Sequence, residues 1–463
     1  MSSVRKQRVR LTPQNQPSGN KFSATNYPSI NFLIGQQQAM LDPRTLRING
    51  QLRILDADGK SVINDNTLTG APTAQNGASL NNSIGVSSVI DEANIQTLNG
   101  RNLETVRNYN RFLAVGKPLV NNSLDYSNGL GLRDPMLTDK SITNSKTANV
   151  KHDFSVKLDV GMFDSEQLIP LSQKGFHGLQ IDLLLAQNAS AVQPYFRYTG
   201  SLQSDKVPVI ADSTYNYEIQ NLSLTFDLIR LDDATFRSMP SSGAMNYNSI
   251  STLHSTLLSQ DQTINLRFGQ NSVQSVTHSI TPALHINNIS VDSFQLSKPQ
   301  RNTQANADGI ICEIRNVQYM RAGQLFPYNF MLDSELQLGD VNVVGASTNP
   351  APQAQIMKPF QNSVSLFDPN NRTKLNPNGN IGLNTSNAPA GGSMPLASGS
   401  DPKSIFGLGC PMDSLRQGVS FRDREYAIRI QSELNDTDAN SFFTFTRGRN
   451  IAQYSPTGIS VVE

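Results

Sequence analysis

The stretch LDPRTLRINGQLRILDADG, Leu41 to Gly59, shows the pattern of residues that indicates the fold class. Side chains of a β-strand point alternately to two faces, so an apolar side chain at every second residue predicts a strand with one buried and one wet face. Apolar side chains occupy one face and polar ones the other: Leu46, Ile48, Leu52 and Ile54 against Arg47, Asn49, Gln51 and Arg53. Because a long polar stretch follows, from about Ile63 to Gly85, this strand is expected to lead into a wide loop.

The same two-residue period returns in both halves of the chain. In YNYEIQNLSLTFDLIRLDD the apolar phase slips by one residue near Asn221, which predicts a β-bulge. Two sets of short strands with wide loops predict two β-sandwiches in tandem. The clearest further strand segments are HDFSVKLDVGMF (152–163), LQIDLLLAQ (179–187), QTINLRF (262–268), REYAIRIQSEL (424–434) and NSFFTFTRG (440–448).

Composition supports an all-β protein and argues against several functional classes. The chain has 463 residues, enough for two units, with 37% hydrophobic residues and no Trp. Its formal net charge of +1 is too small for a dedicated nucleic-acid binder. Apolar runs fall short of the about 18 residues that a membrane-spanning helix needs, and the N-terminus lacks the apolar core of a secretory signal.

The sequence divides into four predicted regions. Residues 1–27 are expected to form a flexible basic arm, 28–240 the first sandwich, 241–259 a linker, and 260–463 the second sandwich. Within the second sandwich, residues 338–404 are rich in Pro, Asn, Gly and Ser and are interpreted as a long inserted loop. The segment GRNLETVRNYNRFLAV (100–115) has apolar side chains at spacings of three and four, which predicts a short amphipathic helix.

The sequence shows no catalytic or nucleotide-binding constellation. GGSMP, Gly391 to Pro395, lacks the closing glycine of a nucleophile elbow. Adjacent carboxylates suited to glycoside hydrolysis occur only as Asp164 with Glu166 and Asp423 with Glu425, and both pairs are interpreted as solvated turns. We therefore predict that the protein is not an enzyme and uses no cofactor or small-molecule substrate.

Metal binding and disulfide formation are not predicted either. His278 and His285 are seven residues apart across a proline, and Asp56 with Asp58 only faintly resembles a calcium loop. Cys312 and Cys410 fit no ligand spacing and are interpreted as free thiols in a protein assembled in a reducing compartment.

The order and character of the segments resemble the double jelly-roll major capsid proteins of polinton-like viruses, virophages and adintoviruses, relatives of the capsomers of tectivirus-like phages. The resemblance covers about Phe32 to Tyr454. The segments that carry it are MLDPRTLRINGQLRI, NLETVRNYNRFLAV, FSVKLDVGMFDSEQLIPLSQKGFHGLQIDLLLA, YEIQNLSLTFDLIRLDD and LRFGQNSVQSVTHSI. It implies two tandem eight-stranded antiparallel jelly rolls with long loops and a few short helices.

The resemblance also implies a function and partners. Three chains would form a pseudo-hexagonal trimer that tiles an icosahedral shell around a double-stranded DNA genome, beside neighbouring capsomers, penton proteins and minor capsid proteins. The protein would be located in the virion after assembly inside the host cell. Four basic residues near the N-terminus would face inward and contact an inner membrane, a minor capsid protein or the genome: Arg5, Lys6, Arg8 and Arg10.

One alternative stays open from the sequence. A β-sandwich receptor- or carbohydrate-binding protein, fibre or lectin-like, also needs sandwiches and polar loops without a catalytic set. Lectins commonly expose aromatic rings for sugar stacking, whereas this chain has no Trp and its Tyr residues fall mostly within strand patterns.

Overall fold

A computed structural model of the chain describes residues 5–55, 59, 77–80, 84–113, 151–171, 173, 175–195, 216–281, 294–295, 314–325, 405–406, 408–412, 418–423, 425–432 and 440–462. All strand pairs among these residues are antiparallel. No helix in these ranges is long and apolar enough to span a membrane.

Strands dominate the described residues, and helices are short. The strands are β1 (Arg5–Leu11), β2 (Lys21–Phe22), β3 (Ser29–Gly35), β4 (Ala39–Leu55), β5 (Gly77–Ser79), β6 (Ile90–Thr97), β7 (Asn102–Arg107), β8 (His152–Lys157), β9 (Gly178–Leu185), β10 (Gln193–Tyr195), β11 (Asn216–Arg230), β12 (Gly243–Leu257), β13 (Asp261–Leu266), β14 (Val273–Thr281), β15 (Phe294–Gln295), β16 (Ile314–Arg321), β17 (Gln324–Leu325), β18 (Ile405–Phe406), β19 (Leu408–Pro411), β20 (Tyr426–Ser432), β21 (Asn440–Ser455) and β22 (Gly458–Val462). The helices are α1 (Asn188–Ala191) and α2 (Asp233–Ser238), with 3-10 helices at Gly85–Val89 and Met162–Asp164 and a helical turn at 109–113.

The first half of the chain folds into a jelly roll, here called the first roll. One sheet has the order β1-β11-β4-β8, with β2 also on β11, and the other has the order β3-β9-β6-β7. If the eight strands of these two paths, without β2, are numbered along the chain, the sheet orders are 1-8-3-6 and 2-7-4-5. Two interleaved four-stranded sheets of this kind are the two Greek keys of a jelly roll.

The second half repeats the same topology and is called the second roll. Its sheets have the orders β12-β21-β14-β19, with β22 also on β21, and β13-β20-β16-β17. These are again 1-8-3-6 and 2-7-4-5, so the predicted fold of two tandem eight-stranded jelly rolls is confirmed. Every described sheet takes its strands from one half only, and the change of sheet falls between Arg230 and Gly243.

Residues 41–55 of the stretch Leu41 to Gly59 lie in β4, at the centre of its sheet. Leu46, Ile48, Leu52 and Ile54 are buried in the apolar core, as their alternation predicted. Burying one such side chain stabilises the fold by roughly 1.5–3 kcal/mol. The predicted bulge is confirmed, because the pairing of β11 with β4 shifts register around Asn221, whose backbone has a φ of 51°.

Two local predictions were wrong, and a third was wrong in part. Residues within the predicted arm form β1, which pairs with β11 along its whole length. Most of the predicted linker 241–259 is β12, a 15-residue strand paired with β21. The predicted helix over 100–115 was wrong for residues 102–107, which form strand β7, and right for residues 109–113, which are helical. The inserted loop 338–404 lies outside the described residues, so that part of the domain division stays a prediction.

The helix prediction failed for residues 102–107 because β7 buries side chains from both of its faces. Leu103 and Val106 lie on opposite faces of this strand, and both are buried. A strand with both faces covered can carry buried apolar residues three positions apart. A helix with one buried face shows the same spacing. The second roll packs against β7, and Leu103 is buried there, whereas Thr105 and Arg107 on the same face of the strand are half-buried and exposed.

Candidate functional site

The two rolls meet in a broad contact, called the junction. The first roll contributes β7, the turn at 109–113 and residues 161–167, and the second roll contributes β12 and β21. The apolar core is continuous across this contact, since buried side chains of both rolls belong to one cluster. The junction therefore fixes how the two rolls stand relative to each other.

A buried carboxylate from β7 binds backbone groups of both rolls. Glu104 Oε1 accepts hydrogen bonds from the N–H groups of Gly161, at 3.1 Å, and Ile250, at 2.8 Å, and Oε2 accepts one from Met162 at 2.7 Å. Gly161 and Met162 belong to the first roll and Ile250 to β12. Burial raises the pKa of Glu104 to about 7, although these three hydrogen bonds and the nearby Arg447 charge act in the opposite direction.

At the junction the backbones of the two rolls approach each other so closely that one position requires a glycine. A Cβ on Gly161 would lie 2.5 Å from the carbonyl oxygen of Asn248 and 2.7 Å from Glu104 Oε1. Such distances are well inside van der Waals contact, so any side chain there would push β12 away from the first roll.

Side chains of the first roll also pair with the backbone of β12. The hydroxyl of Ser165 donates to the carbonyl of Asn246 at 3.2 Å, and the N–H of Asn246 donates to Gln167 Oε1 at 2.9 Å. In the other direction, the Tyr247 hydroxyl donates to the carbonyl of Leu103 at 2.6 Å. An edge strand would otherwise present unpaired polar groups, and here the neighbouring roll satisfies several of them.

Charged and aromatic side chains complete the junction. The Arg447 guanidinium on β21 lies 3.1 Å from Asp164, which also pairs with Lys157 at 3.1 Å. Phe112 and Phe445 pack with ring centroids 5.6 Å apart. These contacts link the 161–167 segment and the 109–113 turn to the centre of the second roll's sheet.

A second polar cluster holds the N-terminal strand. Lys6 Nζ lies 3.0 Å from the Asp227 carboxylate and 3.7 Å from Asp42, and Arg8 Nε lies 2.7 Å from Asp227. Arg10 donates to the Ser223 hydroxyl at 3.0 Å. These side chains lie on one face of β1, away from the core, as alternation requires.

The Asp227 carboxylate is covered by these long basic side chains rather than by the core. The hydrogen bond from Arg8 holds its pKa below the usual range, and Lys6 adds to this effect. Arg5 is exposed and stands opposite Arg230 in the strand register. Of the four predicted contact residues, the structure therefore places Lys6, Arg8 and Arg10 in intramolecular contacts and leaves Arg5 at the exposed end of β1.

The adjacent carboxylates Asp164 with Glu166 and Asp423 with Glu425 differ in their surroundings. Asp164 belongs to the junction, whereas Glu166 is 75% exposed and pairs with Arg44 at 3.1 Å. Asp423 is exposed and accepts a hydrogen bond from the Ser420 hydroxyl.

The histidine and cysteine candidates that fall within the described ranges are buried. His278 contacts the Thr444 hydroxyl at 2.9 Å, and burial lowers its pKa to about 3. Cys410 is a free thiol whose pKa burial raises to about 12. Among the described residues, no three His, Cys, Asp or Glu side chains come together as metal ligands. The other candidates lie outside those residues: Asp56, Asp58, His285, Cys312 and Gly391 to Pro395.

Sequence reasoning did not identify the residues that make the junction. Glu104 falls between apolar residues in NLETVR, and a charged residue inside an apolar pattern was the only available signal. Gly161 and Arg447 carry no such signal, because their roles depend on contacts between distant parts of the chain.

The fold and the junction define the chain as a double jelly-roll protein. No family profile matches the sequence, and no curated protein matches it. Among solved structures, the chain is similar to the PBCV-1 virus capsid, with 10% identity, a TM-score of 0.55 and coverage of 100% of this chain and 97% of that chain. It is also similar to the Faustovirus major capsid protein, with 9% identity, a TM-score of 0.54 and coverage of 98% and 91%. At such identities the likeness concerns the fold, and it confirms the resemblance at that level.

Proposed function

We propose that the chain is a major capsid protein of an icosahedral virus with a double-stranded DNA genome. The observation that carries this proposal is the double jelly roll itself, which matches two viral capsid structures over nearly the full length of both partners. The same likeness supports the capsid role over a lectin-like or fibre role. Fold alone does not establish function, so the proposal needs a test of assembly.

The proposed assembly unit is a homotrimer, and the unequal edges of the two rolls support it. Strands β1 and β12 occupy the same position in their rolls, but only β12 is covered by the other roll. Among the described residues, no strand lies outside β1. A contact that joins one roll to the next can repeat between copies and close a ring. Three copies would form a ring of six rolls, the outline of a pseudo-hexagonal capsomer.

The N-terminal strand is proposed to face the particle interior. Within the described residues, no carboxylate pairs with Arg5 or Arg10, whereas Lys6 and Arg8 share Asp227. We therefore assign the interior contact, to an inner membrane, a minor capsid protein or the genome, mainly to Arg5 and Arg10. Each chain would add a weak, salt-sensitive attraction that many copies multiply. Neighbouring capsomers, penton proteins and minor capsid proteins complete the proposed partners in the virion.

The mass and shape of the purified protein test the capsid proposal. We expect a species close to three times the 50.7 kDa of one chain, with a six-cornered outline and threefold symmetry in electron micrographs. Monomers or slender threefold rods would contradict the capsomer and favour the fibre or lectin-like alternative.

Charge reversal of β1 tests the interior contact. Deleting residues 2–10 would remove most of β1 and expose β11. A substitution is preferable because it keeps the strand. Arg5→Glu is expected to leave trimers intact and lower the yield of assembled particles. Arg422→Glu, the same change at an exposed position of the second roll, serves as the control. Equal particle yields from both variants would contradict the interior role.

A further inference from the structure

The first and last strands of each roll share an outer face, which points away from the core of that roll. In the second roll this face belongs to the junction, and its residues Ile250, Phe445 and Arg447 are buried. In the first roll the same face carries Lys6 and Arg8, whose side chains are 58% and 73% exposed. Two faces of the same kind therefore differ in what covers them.

The same backbone bridge lies in the third strand of each roll. Leu41 of β4 exchanges two backbone hydrogen bonds with Ile169, and Val273 of β14 exchanges two with Val419. In both rolls the bridging segment is the connection between the sixth and seventh strands. Leu41 and Val273 therefore hold the same position in the two sheets.

Strand pairing extends this correspondence to the outer strands. The bridged residues of β4 and β14 pair with Leu228 of β11 and Gly448 of β21. These in turn pair with Gln7 of β1 and Ser249 of β12. Gln7 and Ser249 therefore occupy the same position in their rolls.

The next residues along β1 and β12 belong to the two outer faces. Arg8 lies opposite Asp227 in the first roll, and Ile250 lies opposite Arg447 in the second. Arg8 thus occupies the position at which Ile250 meets the neighbouring roll. Likewise, Asp227 occupies the position at which Arg447 pairs with the neighbouring roll through Asp164.

The backbone of β1 also directs hydrogen-bonding groups to its outer edge. Residues of an antiparallel strand bond alternately to the strand on one side and the strand on the other. Because Leu41 uses its backbone groups for the bridge to Ile169, Leu228 bonds on its other side, to Gln7. The N–H and C=O of Arg8 therefore point away from β11. In the second roll, the N–H group in this position binds a side chain of the first roll.

The second roll has its own counterpart of β7. Within the chain, β7 covers β12, and β7 is the fifth strand of its roll. The fifth strand of the second roll is β17, at the end of its sheet. Gln324 of β17 is exposed, as are Ala322 and Gly323 in the turn before it. A second copy of the chain can therefore place β17 against β1 as β7 is placed against β12.

We propose that the outer face of β1 and β11, formed by Lys6, Arg8 and Asp227 and called the first-roll face, binds the second roll of another copy at β17. The contact presupposes the proposed homotrimer and names the surfaces that join its copies. It is polar, whereas the junction within the chain is buried. Arg5 lies on the opposite face of β1, so it takes no part and is left to the proposed interior contact.

Hydrogen exchange of the full chain, above and below the concentration at which trimers dissociate, locates the contact. Peptides that contain β1 and β17 should exchange several-fold more slowly in the trimer than in the single chain. Peptides from β13 (Asp261–Leu266), in the same sheet as β17 but at its other end, should not change. Equal exchange of β1 in both states would overturn the first-roll face and leave the trimer standing. A chain that is monomeric at every concentration would contradict the proposed function as well.

Charge reversal at Arg8 provides a second measurement with a matched control. Arg8 forms a two-point ion pair with Asp227, at 2.7 and 3.1 Å, and Arg429 forms one with Asp261, at 2.8 and 2.5 Å. Arg8→Glu should raise the dissociation constant of the trimer at least about tenfold, because it adds a carboxylate beside Asp227 in the contact. Arg429→Glu, on the other sheet of the second roll, should leave this constant unchanged. Raising the salt from about 0.1 M to about 1 M shortens the screening length from about 10 Å to about 3 Å and should act like Arg8→Glu.

The two substitutions separate the first-roll face from other ways of forming a trimer. Equal dissociation constants for Arg8→Glu and Arg429→Glu would overturn the inference, whatever the mass of the wild-type particle. Exchange of β1 in single chains of the Arg8→Glu variant shows whether this strand stays paired with β11. Should the strand detach, the exchange comparison in the wild type decides.

Discussion

Strands β1 and β12 hold the same position in the two rolls but are stabilised by different means. Both pair with the last long strand of their sheet, β11 or β21. The side chains of β1 are exposed or half-buried, and ion pairs to Asp227 hold them. The outer edge of β12 is covered by the first roll, through Glu104 and Ser165. Topology alone therefore does not determine what holds a strand in place.

This comparison predicts large effects at the junction and small ones at the N-terminal edge. Desolvated groups lose a full hydrogen-bond partner when a side chain is removed, whereas ion pairs whose cations are exposed, such as those of Lys6 and Arg8, contribute less and are screened by salt. Four substitutions test this difference between the two strands, in order of decreasing expected effect.

Glu104→Ala should cause the largest loss of stability. It leaves the N–H groups of Gly161, Met162 and Ile250 without their acceptor and creates a cavity between the rolls. We expect a loss of roughly 3–5 kcal/mol in the free energy of unfolding, measured by chemical denaturation. Glu166→Ala should change it by less than about 0.5 kcal/mol. If both variants lose a similar amount of stability, Glu104 does not stabilise the junction.

Gly161→Ala should cause the second-largest loss of stability. Its new methyl group would overlap the Asn248 carbonyl, so β12 must move. Overpacking of this kind typically costs about 1–3 kcal/mol, and thermal unfolding would measure it. As a control, Gly35→Ala adds a methyl group where nothing lies within 4 Å. Equal melting temperatures for the two variants would contradict the close approach of the rolls.

Tyr247→Phe should have a moderate effect. The variant removes the hydroxyl that donates to the Leu103 carbonyl and keeps the buried ring. We expect a loss of about 1 kcal/mol. Tyr27→Phe, at a ring that is 50% exposed, should leave stability unchanged. The prediction fails if the two variants lose the same stability.

Asp227→Asn should have the smallest effect on global stability and a local effect on β1. Hydrogen exchange of residues 5–11 should become faster, because Arg8 and Lys6 lose their partner. The pKa of Asp227 is lowered in the folded protein, so its contribution is present above the ordinary value of 3.8 and is lost as the pH falls. In the wild type, high salt should also speed exchange in β1, and in the variant it should not. Asp233→Asn is the control, and unchanged exchange in β1 would refute the role of Asp227.

The alternation of apolar and polar residues predicted more of the fold than of the junction. The alternation in β4 identified the buried residues, and the phase slip identified the bulge at Asn221. The same method missed β1 and β12, because RKQRVRL offers little to bury and β12 carries polar residues on both sides. Both strands form because β11 and β21 supply a paired backbone, which is information from distant sequence.

The residues of the candidate site were likewise predictable only where their signal is local in the sequence. Sequence pointed to Lys6 and Arg8 because a basic cluster is visible locally, yet Asp227, which neutralises them, lies more than two hundred residues away. Glu104 and Arg447 could not be assigned from sequence, since their partners are backbone groups and side chains of the other roll or of a distant segment.

The sequence alone predicts an all-β chain, two sandwiches, the faces of the long strands and the bulge, because a two-residue period is a local property of the backbone. Tertiary contacts, in contrast, make residues 102–107 a strand, cover β12 but not β1, and join the rolls through a buried carboxylate. Those features depend on which surfaces meet, and the contact between the two rolls brings together residues more than one hundred positions apart.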